Sequence, residues 1–168
     1  DSSTSRGLGD VYKRQVPYLN DYEDPKALIA KAKEQNAKMI YLANPDNPMG
    51  TYHTASIIQE MIDSVPDGSL LVLDEAYIEL APQGTAPKID ILNKNVIRLR
   101  TFSKAYGLAG ARVGYAIGHM DLIKSFDKIR NHFGVNTIGQ KAALAALKDQ
   151  LYVAEVCKSI SLGRERIN

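Results

Sequence analysis

The sequence contains a single cysteine, Cys157, and lacks any apolar run of the roughly 18 residues that a membrane-spanning helix needs. One cysteine cannot form an intrachain disulfide, and it excludes a zinc site built from several thiolates. The chain also lacks the basic, apolar and small-residue stretches of a secretory signal at its start. These absences predict a cytoplasmic protein that does not act at a membrane.

Neither sign of charge dominates the composition. The 168 residues include 21 Lys and Arg against 19 Asp and Glu, which gives a formal charge of +2 and no support for a nucleic-acid partner. The three histidines, His53, His119 and His132, show no metal-ligand spacing, and neither a GxxxxGK[ST] loop nor a strand-linked GxGxxG is present. The sequence therefore disfavours a metal enzyme and the usual nucleotide sites.

The chain divides into a short leader and one longer unit. Residues 1–15 are rich in Ser, Gly and charge and show no apolar periodicity, so we expect a disordered or non-native leader. Residues 16–168 alternate between strand-like and helix-like segments, with no internal repeat. We expect this part to form one domain that is truncated at both ends.

Four short apolar segments predict buried strands, and amphipathic segments lie around them. The predicted strands are residues 38–43, 69–74, 95–100 and 112–117. Helices are predicted from Asp24-Pro25, from Thr54 to near Pro66, over 136–147 and over 151–168. A further helical stripe begins near Asp121 and consists of Leu122, Phe126, Ile129 and Phe133. Strands separated by helices predict an α/β fold with a mostly parallel layered sheet.

Polar side chains stand where successive predicted strands end. Asn47 follows the first strand, Asp74 and Tyr77 close the second, and Lys104 and Arg112 flank the loop after the third. In open α/β sheets, ligands bind outside the carboxyl ends of the strands. One site at this edge of the sheet is therefore able to collect all of these groups.

Each of these residues has a functional and a structural interpretation. Asp74 ends an apolar strand, so it needs a cation or hydrogen-bond donors, and a structural salt bridge or helix cap satisfies that need equally well. Lys104 follows a buried strand, where an ammonium that loses water becomes a nucleophilic amine able to form a Schiff base; the alternative is an ordinary surface lysine. Arg112 suits a phosphate dianion, with further donors from the hydroxyls of Thr101 and Ser103.

Three motifs carry a resemblance to a known family. They are NPDNPMG at 44–50, LDEAY at 73–77 and RTFSKAYGLAGARVGYAIG at 100–118. Their order and spacing match those of the same family: 27 residues separate Asn47 from Asp74, 30 separate Asp74 from Lys104, and 8 separate Lys104 from Arg112. In motifs, order and spacing, the chain from about Val16 to its end resembles the fold-type I aminotransferases that use pyridoxal 5'-phosphate, and among them the histidinol-phosphate aminotransferase branch.

The resemblance implies a role for each motif residue. Lys104 would hold the cofactor as an internal aldimine and move the proton between the substrate Cα and the cofactor C4'. Asp74 would pair with the pyridinium nitrogen and so keep the ring an electron sink. Asn47 and Tyr77 would bind the phenolic oxygen of the ring. The cofactor phosphate would be held by Thr101, Ser103 and Arg112.

The resemblance also implies substrates and partners. It implies transfer of an amino group between an amino compound, histidinol phosphate, and a 2-oxo acid, 2-oxoglutarate, within a homodimer. Members of the family carry further segments on both sides of the part that resembles this chain. We therefore expect weak or no transamination by the 168-residue chain itself.

Two alternatives stay open at this point. The motifs bind a cofactor but do not choose which Cα bond breaks, so a decarboxylase acting on a phosphorylated amino acid fits the same scaffold. A non-catalytic α/β module, whose strand-end Asn, Asp, Lys and Arg are structural, is the second alternative. Product analysis separates the two enzymes, and titration with pyridoxal phosphate separates both from the module.

Overall fold

Within the described residues, four strands form one mostly parallel sheet. The computed structural model describes residues 12–131 and 134–167. Within them the strands are β1 (Met39–Ala43), β2 (Leu70–Asp74), β3 (Val96–Thr101) and β4 (Gly114–Gly118), hydrogen-bonded in the order β1-β2-β3-β4. The first three strands run parallel and β4 runs antiparallel to β3. This confirms the predicted α/β fold and all four predicted strands to within two residues at each end.

Five α-helices accompany the sheet in the part of the chain that the structure describes. They are α1 (Pro25–Gln35), α2 (Ala55–Asp63), α3 (Met120–Phe126), α4 (Thr137–Lys148) and α5 (Gln150–Ile167). The predicted caps of α1 and α4 are confirmed. Asp24 accepts a hydrogen bond from the backbone N–H of Ala27, and Asn136 accepts one from Gly139, which satisfies N–H groups that the first turn leaves without partners.

Two predicted helices are shorter than their apolar patterns suggested. The helix after Thr54 ends at Asp63, before Pro66. The helix near Asp121 ends at Phe126, so Ile129 lies outside it and is 82% exposed. Most of the stability of a helix comes from packing of its apolar face, and Ile129 has little to pack against here. Residues 1–11 of the expected leader, His132 and Phe133 lie outside the described residues, and residues 12–15 have no helix or strand.

Two hydrophobic clusters hold the fold together. The first lies between one face of the sheet and helices α1 and α2, and consists of Ile29, Ala32, Ile40, Leu42, Ile58, Met61, Leu71, Leu73 and Val96. The second joins the loop after β3 to helices α4 and α5, and consists of Phe102, Ala105, Tyr106, Val113, Ala143 and Val153. The second cluster fixes the segment that carries Lys104, since Phe102, Ala105 and Tyr106 anchor it on both sides.

Candidate active site

The topology of the sheet brings the motif residues to one edge. Because β1, β2 and β3 are parallel, their carboxyl ends meet at the same edge, where Ala43 pairs with Asp74 and Asp74 pairs with Leu99. The antiparallel β4 begins at that edge, and its Gly114 pairs with Thr101. Arg112, two residues before β4, therefore comes back to the end of β3. The predicted convergence at the strand ends is confirmed for the backbone.

Asp74 receives one hydrogen bond on each carboxylate oxygen. Its Oδ1 accepts from the backbone N–H of Ala76 at 3.0 Å, and its Oδ2 accepts from the phenol of Tyr41 at 2.7 Å. Both donors are neutral, and within residues 12–131 and 134–167 no Lys, Arg or His forms an ion pair with this carboxylate. Of the two kinds of partner that the sequence allowed for Asp74, hydrogen-bond donors are present, and no cation of the described residues contacts it.

The loop after β1 places Asn47 beside Tyr77. The amide nitrogen of Asn47 lies 3.4 Å from the phenol oxygen of Tyr77, to which it donates. The loop is fixed by the buried Asn44, whose side chain accepts from the backbone N–H of His53 at 2.8 Å and donates to the His53 carbonyl at 3.2 Å. Gly50 completes the loop with a φ of 71°, a left-handed conformation that glycine adopts without a steric cost.

Lys104 reaches the same group of side chains. Its Nζ lies 5.0 Å from the centre of the Tyr77 ring, which is within cation–π distance. Lys104 and Asn47 therefore both lie against Tyr77, which follows Asp74 by three residues in the chain. The sequence left two interpretations of Lys104 open, a desolvated amine and an exposed lysine, and in this structure the Lys104 side chain is exposed. The second cluster packs around its neighbours and leaves the lysine itself at the surface.

The hydroxyl of Thr101 shapes the turn after β3. Thr101 Oγ1 accepts a hydrogen bond from the backbone N–H of Ser103 at 3.0 Å and donates to the carbonyl of Val113 at 3.4 Å. These two hydrogen bonds connect the end of β3 to the residue before β4 and fix the backbone of Ser103 relative to Thr101. A role for Thr101 in phosphate binding stays a prediction, as does that of Ser103.

Arg112 adopts a left-handed backbone conformation with a φ of 56°. Its exposed guanidinium donates from Nη1 to the carbonyl of Ala109 at 2.9 Å, within the same loop. A guanidinium has five N–H donors, so after this one hydrogen bond four N–H groups can still bind a ligand. The structure thus places Arg112 at the end of the sheet that carries Thr101 and Ser103, and its role as a phosphate ligand stays a prediction.

A buried ion-pair network, not anticipated from the sequence, supports the turn between Asp74 and Tyr77. The Glu75 carboxylate is 1% exposed; one of its oxygens accepts from Arg98, and the other accepts from Nε of Arg100 at 2.8 Å. Arg98 also donates to the carbonyl of Pro87 at 3.0 Å. Arg98 and Arg100 are two positions apart in an apolar strand, so their side chains point to the same face of the sheet. Because buried charges need a partner of opposite charge, this pattern in the sequence could have indicated a nearby carboxylate.

Further carboxylates lie on the other side of Asp74. Glu23 accepts a hydrogen bond from the backbone N–H of Ala43 at 2.9 Å, and Asp46 accepts one from the phenol of Tyr18 at 2.9 Å. Burial is the largest cause that raises the pKa of the Glu23 carboxyl from 4.5 to about 7; the hydrogen bond from Ala43 opposes this rise, and the negative charges of Asp46 and Asp74 contribute to it. The edge of the sheet is therefore acidic at β1 and basic at the loop that carries Lys104 and Arg112.

An open pocket of about 400 Å³ adjoins Asn47 and Tyr77. The guanidinium of Arg164, from helix α5, lies on its wall and donates to the carbonyl of Leu80 at 2.8 Å. The pocket is lined by Pro45, Asp46, Asn47, Pro48, Gly50, Tyr52, Tyr77, Leu80, Ala81, Pro82 and Arg164. Asn47 and Tyr77 are therefore accessible to a small molecule that enters this pocket.

Comparison with known proteins identifies the family. The sequence profile of the family described as aminotransferase class I and II matches residues 8–167. The aromatic amino acid aminotransferase of Nocardia farcinica is 39% identical over 165 residues, which is 95% of this chain and 46% of that protein. The chain thus spans less than half the length of this curated relative.

Two solved structures share the fold. The histidinol-phosphate aminotransferase of Sinorhizobium meliloti, crystallised with pyridoxal-5'-phosphate, superimposes with a TM-score of 0.89 at 51% identity, over 92% of this chain and 42% of that one. The L-threonine-O-3-phosphate decarboxylase of Porphyromonas gingivalis superimposes with a TM-score of 0.65 at 26% identity, over 78% of this chain and 40% of that one.

Proposed function

The chain belongs to the aminotransferase class I and II family, and from this membership we propose that it binds pyridoxal 5'-phosphate and contributes to amino-group transfer. The contact set of Lys104, Tyr77 and Asn47 beside Asp74 is the single observation that carries the proposal. Asn47, Tyr77 and Lys104 come from three separate loops, and Asp74 is the last residue of β2. Their types suit the cofactor: an amine for its aldehyde, hydrogen-bond donors for its phenolate oxygen and a carboxylate for its protonated ring nitrogen.

The described residues fit the cofactor. Among the described residues, the partners of the Asp74 carboxylate are two neutral donors, which suits a site for the protonated nitrogen of a pyridine ring. Lys104 and Arg112 are exposed at the same edge of the sheet, where the amine would react with the aldehyde of the cofactor and the guanidinium would bind its phosphate. When bound, the cofactor supplies an electron sink that delocalises the negative charge left when a bond to the substrate Cα breaks.

We assign roles to the residues accordingly. Lys104 would hold the cofactor through its amine and, once exchanged for the substrate amine, act as the base that moves the Cα proton. Asp74 would keep the ring nitrogen protonated, which makes the electron sink effective. Asn47 and Tyr77 would donate hydrogen bonds to the ring oxygen. The phosphate would be bound by Thr101, Ser103 and Arg112.

The substrates that we propose are histidinol phosphate and 2-oxoglutarate. The likeness to the Sinorhizobium meliloti protein, at 51% identity, supports this choice. The Nocardia farcinica relative is an aromatic amino acid aminotransferase, so an aromatic amino acid is the nearest competing amino donor. We further propose a homodimer. Sedimentation of the protein expressed from its complete reading frame tests the dimer, and steady-state kinetics with both donors tests the substrate.

Cofactor binding is tested by titration and chemical trapping. Adding pyridoxal 5'-phosphate should produce a visible absorbance band, and borohydride should fix the cofactor on Lys104 in a peptide digest. Lys104→Ala should lose both signals, whereas Lys124→Ala, which changes an exposed lysine of α3, should retain them. A reduced adduct that persists on the Lys104→Ala protein would show that another lysine holds the cofactor. The absence of any band in the unaltered protein would favour the non-catalytic module.

A decarboxylase is the second candidate. The fold shared with the Porphyromonas gingivalis decarboxylase favours it, although at 26% identity that likeness is weaker than the likeness to the aminotransferase. Incubation with a phosphorylated amino acid and a 2-oxo acid as amino-group acceptor decides between the two reactions. Transfer produces a 2-oxo acid and a new amino acid, whereas decarboxylation produces carbon dioxide and an amine.

A further inference from the structure

Strand β1 presents one tyrosine to the candidate site. Along β1, Ile40 and Leu42 are buried against the helices, whereas Met39 and Tyr41 face the opposite side of the sheet and are exposed. Directly paired residues of parallel strands point to the same face, and Ala43 pairs with Asp74. Tyr41, two residues before Ala43, therefore shares a face with Asp74, and its phenol is carried toward that carboxylate.

The hydrogen bond between these two residues is short and connects neighbouring strands. The phenol of Tyr41 donates to Oδ2 of Asp74 at 2.7 Å, while Oδ1 accepts from Ala76 at 3.0 Å. With one donor on each oxygen, the plane of the carboxylate has a defined orientation. A carboxylate oxygen can accept more than one hydrogen bond, so Oδ2 can accept from a ligand while it is bound to Tyr41.

The Tyr41 phenol lies among negatively charged groups, and its hydrogen bond therefore contributes to the stability of the Asp74 carboxylate. Its ionisable neighbours are three carboxylates, Asp74, Glu23 and Asp46. Burial raises the pKa of the Tyr41 phenol, and the hydrogen bond to Asp74 raises it further, so the group remains a donor at neutral pH. Since no cation forms an ion pair with Asp74 within residues 12–131 and 134–167, the phenol and the Ala76 N–H are what stabilise its charge.

We propose that Tyr41 is a positioning residue for the cofactor: its phenol fixes the Asp74 carboxylate so that Oδ2 accepts a hydrogen bond from the protonated nitrogen of the pyridine ring. The inference rests on the proposed function, because it needs Asp74 to be the partner of that nitrogen. It adds a residue outside the three motifs, on a strand rather than in a loop. Tyr41 does not contact the cofactor and acts through Asp74.

The first test is the affinity for pyridoxal 5'-phosphate, measured by equilibrium dialysis against apoprotein expressed from its complete reading frame. Tyr41→Phe keeps the ring and removes only the donor, so the dissociation constant should rise about 5-fold, the usual effect of one lost hydrogen bond. Tyr12→Phe is the matched control, because Tyr12 is 74% exposed and, among the described residues, the centre of its ring lies 5.7 Å from the Arg14 guanidinium; it should leave the affinity unchanged.

The second test separates positioning from a general structural role. An analogue of the cofactor in which carbon replaces the ring nitrogen cannot donate to Asp74. Tyr41→Phe should therefore weaken binding of the true cofactor and leave binding of this analogue within about 2-fold. The same selectivity should appear in a double-mutant cycle, where Tyr41→Phe has no further effect once Asp74→Asn is present.

The outcomes distinguish this inference from the proposed function. Equal cofactor affinity of Tyr41→Phe and the unaltered protein overturns the role of Tyr41 and leaves the proposed function intact. Equal weakening for the cofactor and the carbon analogue also overturns it, since that pattern indicates a distorted site. If the unaltered protein does not bind the cofactor at all, the proposed function and the inference both fail.

Discussion

The Nζ atom of Lys104 lies 5.0 Å from the centre of the Tyr77 ring, although the two residues follow different strands. Tyr77 comes three residues after β2, and Lys104 comes three residues after β3. Since Asn47 contacts the phenol of the same tyrosine, Tyr77 joins the loops after β1, β2 and β3. It is therefore the residue whose removal most directly tests whether these loops form one site.

Tyr77→Phe should leave the cofactor on Lys104 but change its titration. The ring that faces the lysine remains, whereas the hydroxyl that would donate to the ring oxygen is lost. One lost hydrogen bond corresponds to a shift of about 0.5 to 1 pH unit. We expect the midpoint of the visible absorbance titration to move upward by that amount. An unchanged midpoint, with Tyr12→Phe as the control, would show that the phenol does not contact the ring oxygen.

Asp74→Asn should impair turnover far more than it impairs cofactor binding. The amide keeps the shape of the carboxylate but loses the charge that holds the ring nitrogen protonated. We expect kcat to fall about 1000-fold, in the range seen when an electrostatic stabiliser is removed, and the cofactor dissociation constant to rise only about 30-fold. The measurement is kcat under saturating cofactor beside a dialysis titration. Normal turnover by Asp74→Asn would remove Asp74 from the mechanism.

Glu75→Gln should destabilise the protein, although Glu75 is not one of the residues proposed to bind the cofactor. Glu75 is 1% exposed and binds both Arg98 and Arg100, so the substitution leaves two arginines without their counter-charge. Breaking a buried pair in this way costs about 3–5 kcal/mol of unfolding free energy. Urea unfolding followed by circular dichroism measures the change. The control is Glu34→Gln, which removes an exposed pair with Lys31 and should leave the urea midpoint unchanged.

The stability of the protein should fall as the pH rises from about 4.5 to about 7, because of Glu23. Burial raises the pKa of this carboxyl from 4.5 to about 7 in the folded state. Over that interval the folded protein binds more protons than the unfolded chain, so raising the pH favours unfolding. Because Glu23 is only half-buried, we expect a loss of about 1 kcal/mol. Urea unfolding at several pH values should show this loss of unfolding free energy in the unaltered protein and not in Glu23→Gln. If the unfolding free energy of the two proteins changes with pH in the same way, Glu23 is not its cause.

Much of the architecture could be predicted because its determinants are local. The apolar hexapeptide at 69–74 becomes β2, Asp24 caps α1 as its position before Pro25 indicated, and Asn136 caps α4. The helix near Asp121 was predicted too long. Apolar spacing shows only that a helix can bury a stripe, and Ile129, at 82% exposure, has no partner in the described structure that would stabilise a further turn.

The contacts of the site depend on pairs of residues far apart in the chain. Tyr41 lies 33 residues before Asp74, and Glu75 lies 23 and 25 residues before its two arginines. Which residues meet depends on the register of neighbouring strands, and a shift of one residue would turn each side chain to the other face of the sheet. For that reason neither Tyr41 nor Glu75 stood out before the strands were paired.

The sequence by itself determined the strands, most of the helices and the chemical types of the residues at the strand ends. These follow from local periodicity, capping and motif order, which involve residues close together in the chain. Only the tertiary structure decided that Tyr77 connects Lys104 with Asn47, that Lys104 is exposed, and that Asp74 is held by Tyr41. Those facts depend on how parallel strands align and where their loops fold back, and local sequence preferences do not set either of these.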